Sequence, residues 1–485
     1  MIYQTINPAT GEVIQTFPDI SDTELEAAVS KADACYRNDW RHRSIADRAR
    51  IVSAAAAILR ENAEEYARYV TLEMGKLLSG ALGEVRLSAD ILDYYAKNAE
   101  TFMEPKHFPG FPGAALVTRP IGAILAIEPW NFPYYQIARV VGPQLMAGNV
   151  VLLKHAESVP QSALAFARLL EEAGAPEGAY TNIFATHEQI ARLIEDPRIA
   201  GVTVTGSERA GAAVAERAGR NLKKSVMELG GSDPLIVLPD APLESAIDGA
   251  VFGRMFNSGQ SCVAAKRIIV VGQGRGKAFI DGFTAKAKAL KIGDPTVAST
   301  ELAPLSSERA MERLLSQIKA ARIGGATILE GGKRVNRPGF YVEPTVITDI
   351  DEKNPIYREE LFGPVASIYV TDSDEDAIRI ANDTPFGLGG SVFGTDLDHA
   401  RSVADQIDSG MVFVNQPTWT TAELPFGGVK NSGFGRELSE LGFGEFVNRK
   451  LIHVAPAGSP PGDLLRRRAA SHLCRGAGGA QPEGR

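Results

Sequence analysis

Apolar residues recur at helical intervals near the start of the chain and gather, from Gly122 onward, into short runs separated by amphipathic stretches. Ser21-Asp22-Thr23-Glu24 has capping-box spacing, and Leu25, Ala28, Val29 and Ala32 follow on one helical face. A second helical stretch begins near Ser44. The runs Ile124–Ile127, Val150–Leu153, Gly201–Val204 and Leu235–Leu238 read as buried strands. Tyr134–Met146, Gln161–Ala173, Glu188–Ile194 and Arg209–Ala218 read as the helices between them. From about Ala246 the same alternation resumes through Arg267–Val271, Phe279–Leu290, Arg309–Arg322, Ala326–Leu329, Ala366–Val370 and Val412–Asn415. The predicted fold class is α/β, with two doubly wound parallel domains whose ligands sit beyond the carboxyl ends of strands. No short-period repeat is present.

The length of 485 residues supports two large domains, since one core stops growing near ~250–300 residues. With 44% hydrophobic and 23% charged residues the composition is that of a globular protein, and no apolar stretch approaches the ~20 residues of a spanning helix. The first residues lack a basic segment followed by an apolar block, so a cytoplasmic location is expected. A formal charge of −8 gives no electrostatic reason to bind nucleic acid. Cys35, Cys262 and Cys474 form no CxxC pair, which argues against a disulfide framework and a thiolate metal site; no metal is expected. Residues 456–485 are rich in Gly, Pro and Ala, with five arginines against Asp463 and Glu483, and are expected to form a disordered tail.

Four segments carry candidate chemistry. Cys262 follows Asn257-Ser258-Gly259-Gln260-Ser261, a small, flexible approach that leaves room at the sulfur, although a lone cysteine also suits a small buried site. Glu228-Leu229-Gly230-Gly231 ends a strand, where a carboxylate either serves chemistry or decorates a turn. Pro129-Trp130-Asn131-Phe132-Pro133 joins strand to helix, so the Asn131 amide suits an oxyanion donor or a helix cap. Thr205-Gly206-Ser207 opens another helix and can meet a pyrophosphate, but it is not a GxGxxG fingerprint.

Together these segments resemble the aldehyde dehydrogenase superfamily, from Ile6-Asn7-Pro8-Ala9-Thr10-Gly11 to about Val454. Glu359-Glu360-Leu361-Phe362-Gly363-Pro364-Val365 and Pro425-Phe426-Gly427-Gly428-Val429-Lys430-Asn431-Ser432-Gly433 extend the match. Lys154-His155-Ala156 and Glu228 to Pro234 are similar to bacterial NAD(P)-dependent succinate-semialdehyde dehydrogenases. The resemblance implies a coenzyme-binding domain from 1–102 and 122–229, a catalytic domain at 230–431 and a small β oligomerisation element from 103–121 and 432–455. A homodimer or homotetramer follows from it.

The resemblance also implies roles. Cys262 attacks the aldehyde carbon, Asn131 and the Cys262 backbone N–H hold the oxyanion, and Glu228 activates the water that hydrolyses the thioester. Lys154 and Glu157 hold the adenosine ribose, Ser207 the pyrophosphate, and Glu360 with Phe362 the nicotinamide end, with Trp130, Gly206 and Gly230 at the same coenzyme site. NAD is expected ahead of NADP, because Glu157 repels a 2′-phosphate. The favoured substrate is succinate semialdehyde, its carboxylate paired with Arg139 unless a protein carboxylate takes that arginine. Phe256, Trp419 and Thr421 shape the rest of the pocket. Phe256 stands where some relatives carry a second arginine, which favours broad aliphatic or aromatic specificity as the alternative. A thioesterase or acyltransferase using Cys262 and Glu228 leaves the Glu157 and Glu360 blocks unexplained. A non-catalytic structural protein leaves Cys262 and Glu228 without purpose.

Overall fold

A computed structural model describes residues 2–460. The tail expectation for 456–485 therefore lies, from 461 onward, outside the described residues, as does Cys474. The capping box forms: the Ser21 side chain accepts from the Glu24 N–H at the start of Asp22–Asn38, and the Glu24 side chain accepts from the Ser21 N–H. Ser44 likewise caps Ile45–Glu61.

Two large sheets organise the chain. The first has six strands in the order Gly433–Phe434, Lys224–Glu228, Ile199–Thr205, Ala123–Glu128, Val150–His155 and Tyr180–Asn182. All its pairings are parallel except that of Gly433–Phe434 with Met227–Glu228. The second has seven, in the order Thr327–Glu330, Thr345–Thr348, Val365–Thr371, Ala265–Val271, Asp233–Val237, Ser391–Phe393 and Phe413–Val414. Only its Thr327–Glu330 edge is antiparallel. A third sheet joins Val447–His453, Ala114–Pro120 and Lys106–His107, all antiparallel. Gly433–Phe434 falls in the segment expected for oligomerisation, yet it returns to the first sheet and covers the strand that ends at Glu228.

Helix Pro133–Ala147 is buried along its whole length. Pro133 at its first turn costs no hydrogen bond, and Gly148 beyond its end takes the left-handed conformation that a helix stop requires. Leu78–Phe102 packs across it and turns one face, through Ser79, Gly83, Arg86, Leu87 and Asp90, toward a cleft between the two sheets. No helix among the described residues is long and apolar enough to cross a membrane.

Candidate active site

Cys262 lies on a turn just before strand Ala265–Val271, partly exposed on a cleft of about 450 Å³. The approach to it is conformationally demanding. Asn257, Ser258 and Gly259 all have positive φ, and a Cβ on Gly259 would lie 2.2 Å from the Gly363 carbonyl oxygen. Only glycine permits that close approach. The loop is then tied down: Ser258 Oγ donates to the Ala303 carbonyl, and Gln260 Oε1 accepts from the Ser306 N–H. Loss of water around the sulfur pushes the Cys262 thiol up to about 12, against the opposing pull of Lys266 and Arg139. Cys262 is therefore a thiol at neutral pH in this state, and needs a base to become a nucleophile.

Asn131 is buried and reaches the same loop, its Nδ2 donating to the Gln260 carbonyl at 3.2 Å. Gln136 Nε2 donates to Asn131 Oδ1, and Asn257 Nδ2 donates to the Asn131 carbonyl at 3.1 Å. Asn131 does not cap the following helix. That role falls to Glu84, whose Oε1 accepts from the N–H groups of Tyr134 and Tyr135. Lys76 is ion-paired with Glu84, both wholly buried, and its ammonium lies 3.7 Å from the centre of the Phe132 ring. These residues fix the start of the helix that presents Asn131, and no sequence motif singles them out.

Glu228 ends its strand as expected, but its carboxylate does not line the cleft. It is buried without a hydrogen-bond partner, and a Cβ on Gly427 would come 2.6 Å from its Oε1. Gly427 makes the room it occupies. Burial and the charge of Glu437 hold the Glu228 carboxyl well above the ordinary carboxylate range, with Arg139 and Arg436 opposing.

The expected coenzyme residues fall in two groups. Lys154 lies near the end of strand Val150–His155 and Glu157 just beyond it, and the two form an ion pair, with Glu157 the more exposed. Gly206 and Ser207 open helix Glu208–Arg220, where the Ser207 hydroxyl accepts from the Ala210 N–H. Near the cleft, Trp130 and Phe362 meet edge to face at 5.7 Å between centroids. Glu360 Oε1 accepts from the Gly231 N–H at 3.1 Å, and a Cβ on Gly230 would lie 2.7 Å from Glu360 Oε2. Lys266, which sequence reasoning missed, pairs with Glu360 at 3.1 Å.

The substrate expectations need two corrections. Arg139 is 1% exposed, and its Nε lies 2.7 Å from Glu437 Oε2. Its guanidinium sits against the rings of Tyr135 and Phe426, which line the cleft while Arg139 itself does not. Further bonds to Gln136 and Thr205 complete its shell, so a protein carboxylate, not the cleft, takes this arginine. Thr421 is also displaced: Thr420 lines the cleft, its Oγ1 2.8 Å from the Tyr135 hydroxyl. Phe256 and Trp419 do line it, in a cluster with Phe252 and Phe132 at centroid distances of 5.2–6.2 Å. The cleft wall also presents Arg86, exposed and without an ion pair among the described residues.

Residues 1–452 match the family model described as the aldehyde dehydrogenase family. The succinate-semialdehyde dehydrogenase [NADP(+)] of Deinococcus radiodurans is 48% identical over 95% of this chain and 97% of its own length. A protein named succinate-semialdehyde dehydrogenase [NADP(+)] 1 from Mycobacterium tuberculosis is 45% identical, covering 93% and 99%. The crystal structure of succinic semialdehyde dehydrogenase from Streptococcus pyogenes, in complex with NADP+, superposes with a TM-score of 0.91 at 45% identity, covering 93% of this chain and 99% of that one. With a buried Glu228 and a cleft-facing Cys262 on two packed α/β sheets, and with this match along nearly its whole length, the chain belongs to the aldehyde dehydrogenase family.

Proposed function

We propose that the protein oxidises succinate semialdehyde to succinate with a nicotinamide dinucleotide, through a thioester on Cys262. The observation that carries the reaction is a cysteine on the cleft wall with the Asn131 amide bonded to the loop two residues before it. The names of relatives 45–48% identical support the substrate.

The site fits a dinucleotide by the chemistry of its donors and by its small residues. Lys154 and Glu157 would hold the adenosine ribose, the Gly206–Ser207 turn the pyrophosphate, and Glu360, Gly230, Trp130 and Phe362 the nicotinamide end. A nicotinamide coenzyme supplies the hydride acceptor. The chain's own residues do the rest. Cys262 Sγ, once deprotonated, adds to the aldehyde carbon, and one N–H of Asn131 with the Cys262 backbone N–H receives the oxyanion. Once hydride has left the carbon, the acyl group is a thioester on Sγ. Glu228, the carboxylate at the end of its strand beside Gly427, takes a proton from water as that thioester is hydrolysed. The test is formation of reduced coenzyme over a panel of aldehydes, with Cys262→Ala as control. The variant is expected to lose at least about a thousandfold in turnover. Activity that survives it places the nucleophile elsewhere.

NAD is the coenzyme favoured by Glu157, whose carboxylate repels a 2′-phosphate of charge near −2. The relatives' names favour NADP as the second reading. The expected kcat/KM is higher with NAD, and Glu157→Ser narrows the difference through KM for NADP. A wild type that works better with NADP reverses the assignment and points to Lys154 as the phosphate's partner.

A further inference from the structure

Lys266 stands four residues after Cys262, on the strand Ala265–Val271, and is 2% exposed. A buried ammonium is costly unless its three N–H groups find acceptors, and here each does. Nζ lies 2.8 Å from the Ser261 carbonyl, 2.7 Å from the Cys262 carbonyl and 3.1 Å from Glu360 Oε1. Glu360 Oε1 is in turn held by the Gly231 N–H. One side chain thus spans the nucleophile's own backbone and the carboxylate expected at the nicotinamide end.

We propose that Lys266 is a positioning residue for the nucleophile, locking the Ser261–Cys262 turn to Glu360 while placing a positive charge that favours the Cys262 thiolate. The inference deepens the thioester reading and rests on Cys262 being the nucleophile. The charged groups that act on Cys262 are Lys266 and Arg139 on the positive side, Asp233 and Glu360 on the negative. Lys266 is the largest of the influences that lower the thiol's pKa, and Glu360 is among those that raise it. Removing one or the other should therefore move the thiol in opposite directions. A purely structural strut would not give that sign pattern, because breaking the bridge at either end would loosen the same turn.

The readout is alkylation of Cys262 by iodoacetamide in the coenzyme-free protein, followed by peptide mapping across pH. At about pH 8, Lys266→Met is expected to slow alkylation about fivefold or more. Glu360→Gln is expected to speed it. Lys266→Gln keeps a neutral donor, so it should stay slow like Lys266→Met. Slow alkylation by both Lys266 variants with fast alkylation by Glu360→Gln supports the proposal. Wild-type rates in Lys266→Gln, or slowing in Glu360→Gln, overturns it. If Lys266→Met does not fold, Lys266→Gln together with the sign of the Glu360→Gln effect decides. Failure of the underlying reading is separate: it shows as full dehydrogenase activity in Cys262→Ala.

Discussion

Arg139 shows how a residue type can be right for a ligand and still be taken by the protein. A buried guanidinium needs an anion, and Glu437 supplies it from Leu438's neighbourhood on the chain's return to the first sheet. Removing one member of a buried pair strands the other, which costs about 3–5 kcal/mol. Arg139→Ala should accordingly lower the denaturant midpoint and reduce turnover of succinate semialdehyde and butanal alike. Arg86, exposed on the cleft wall, is the cation that the described lining of the cleft would offer to the carboxylate of the proposed substrate. Because an exposed charge pair contributes little, Arg86→Ala should cost succinate semialdehyde only about two- to fivefold relative to butanal. A selective loss in Arg139→Ala instead would return the carboxylate to that arginine.

Helix Pro133–Ala147 carries Asn131 at its entrance, and the cap at that entrance comes from another helix. Glu84→Ala would free the Tyr134 and Tyr135 N–H groups and leave the Lys76 ammonium buried without its anion. The expected loss is about 3–5 kcal/mol in unfolding free energy, with a drop in kcat through a misplaced Asn131. Unchanged thermal melting would show that water replaces the carboxylate there. The sequence discloses this helix as a mostly apolar stretch opened by Pro133 and closed by Gly148, since every one of its positions is buried, while amphipathic helices such as Asp22–Asn38 show in the spacing of their buried face. Strand runs such as Val150–Leu153 and Leu235–Leu238 were equally legible, being apolar on both faces. Pairings distant along the chain were not. Gly433–Phe434, two residues long, has no hydrophobic pattern of its own and is recruited by the edge at Met227–Glu228. Cys262, Glu228 and Asn131, the proposed nucleophile, base and amide donor, are legible because each sits in a Gly- or Pro-marked segment beside a strand terminus. Lys76, Glu84 and Lys266 did not, since their importance lies in partners that only the folded chain supplies.

Across the whole molecule, the two sheets are joined where the chain passes from Glu228, the last residue of one strand, to Asp233, the first of another. The passage is tight: a Cβ on Gly231 would lie 2.5 Å from the Cys262 carbonyl, and one on Gly389 would lie 2.3 Å from Asp233 Oδ2. Asp233 Oδ1 accepts from the Gly389 N–H at 3.0 Å, while its Oδ2 has no hydrogen-bond partner. Burial pushes its carboxyl up to about 7, with Lys266 opposing and Glu360 adding to the rise. The folded value is raised above the unfolded one of about 3.9. Between about pH 4 and 7 the folded state therefore holds a proton that the unfolded chain has released, and Asp233's contribution to stability falls as pH rises through that window. Above about 7 the carboxylate is charged in both states and the penalty is complete. Asp233→Asn removes the titration while keeping the side chain's shape. Urea unfolding of both proteins at about pH 5 and about pH 8 should show the variant gaining on wild type at the higher pH, by up to about 1.4 kcal/mol for each pH unit crossed within the window. A difference between the two proteins that stays constant with pH would mean that Asp233 is ionised throughout, its charge held by Lys266 across the joint between the sheets.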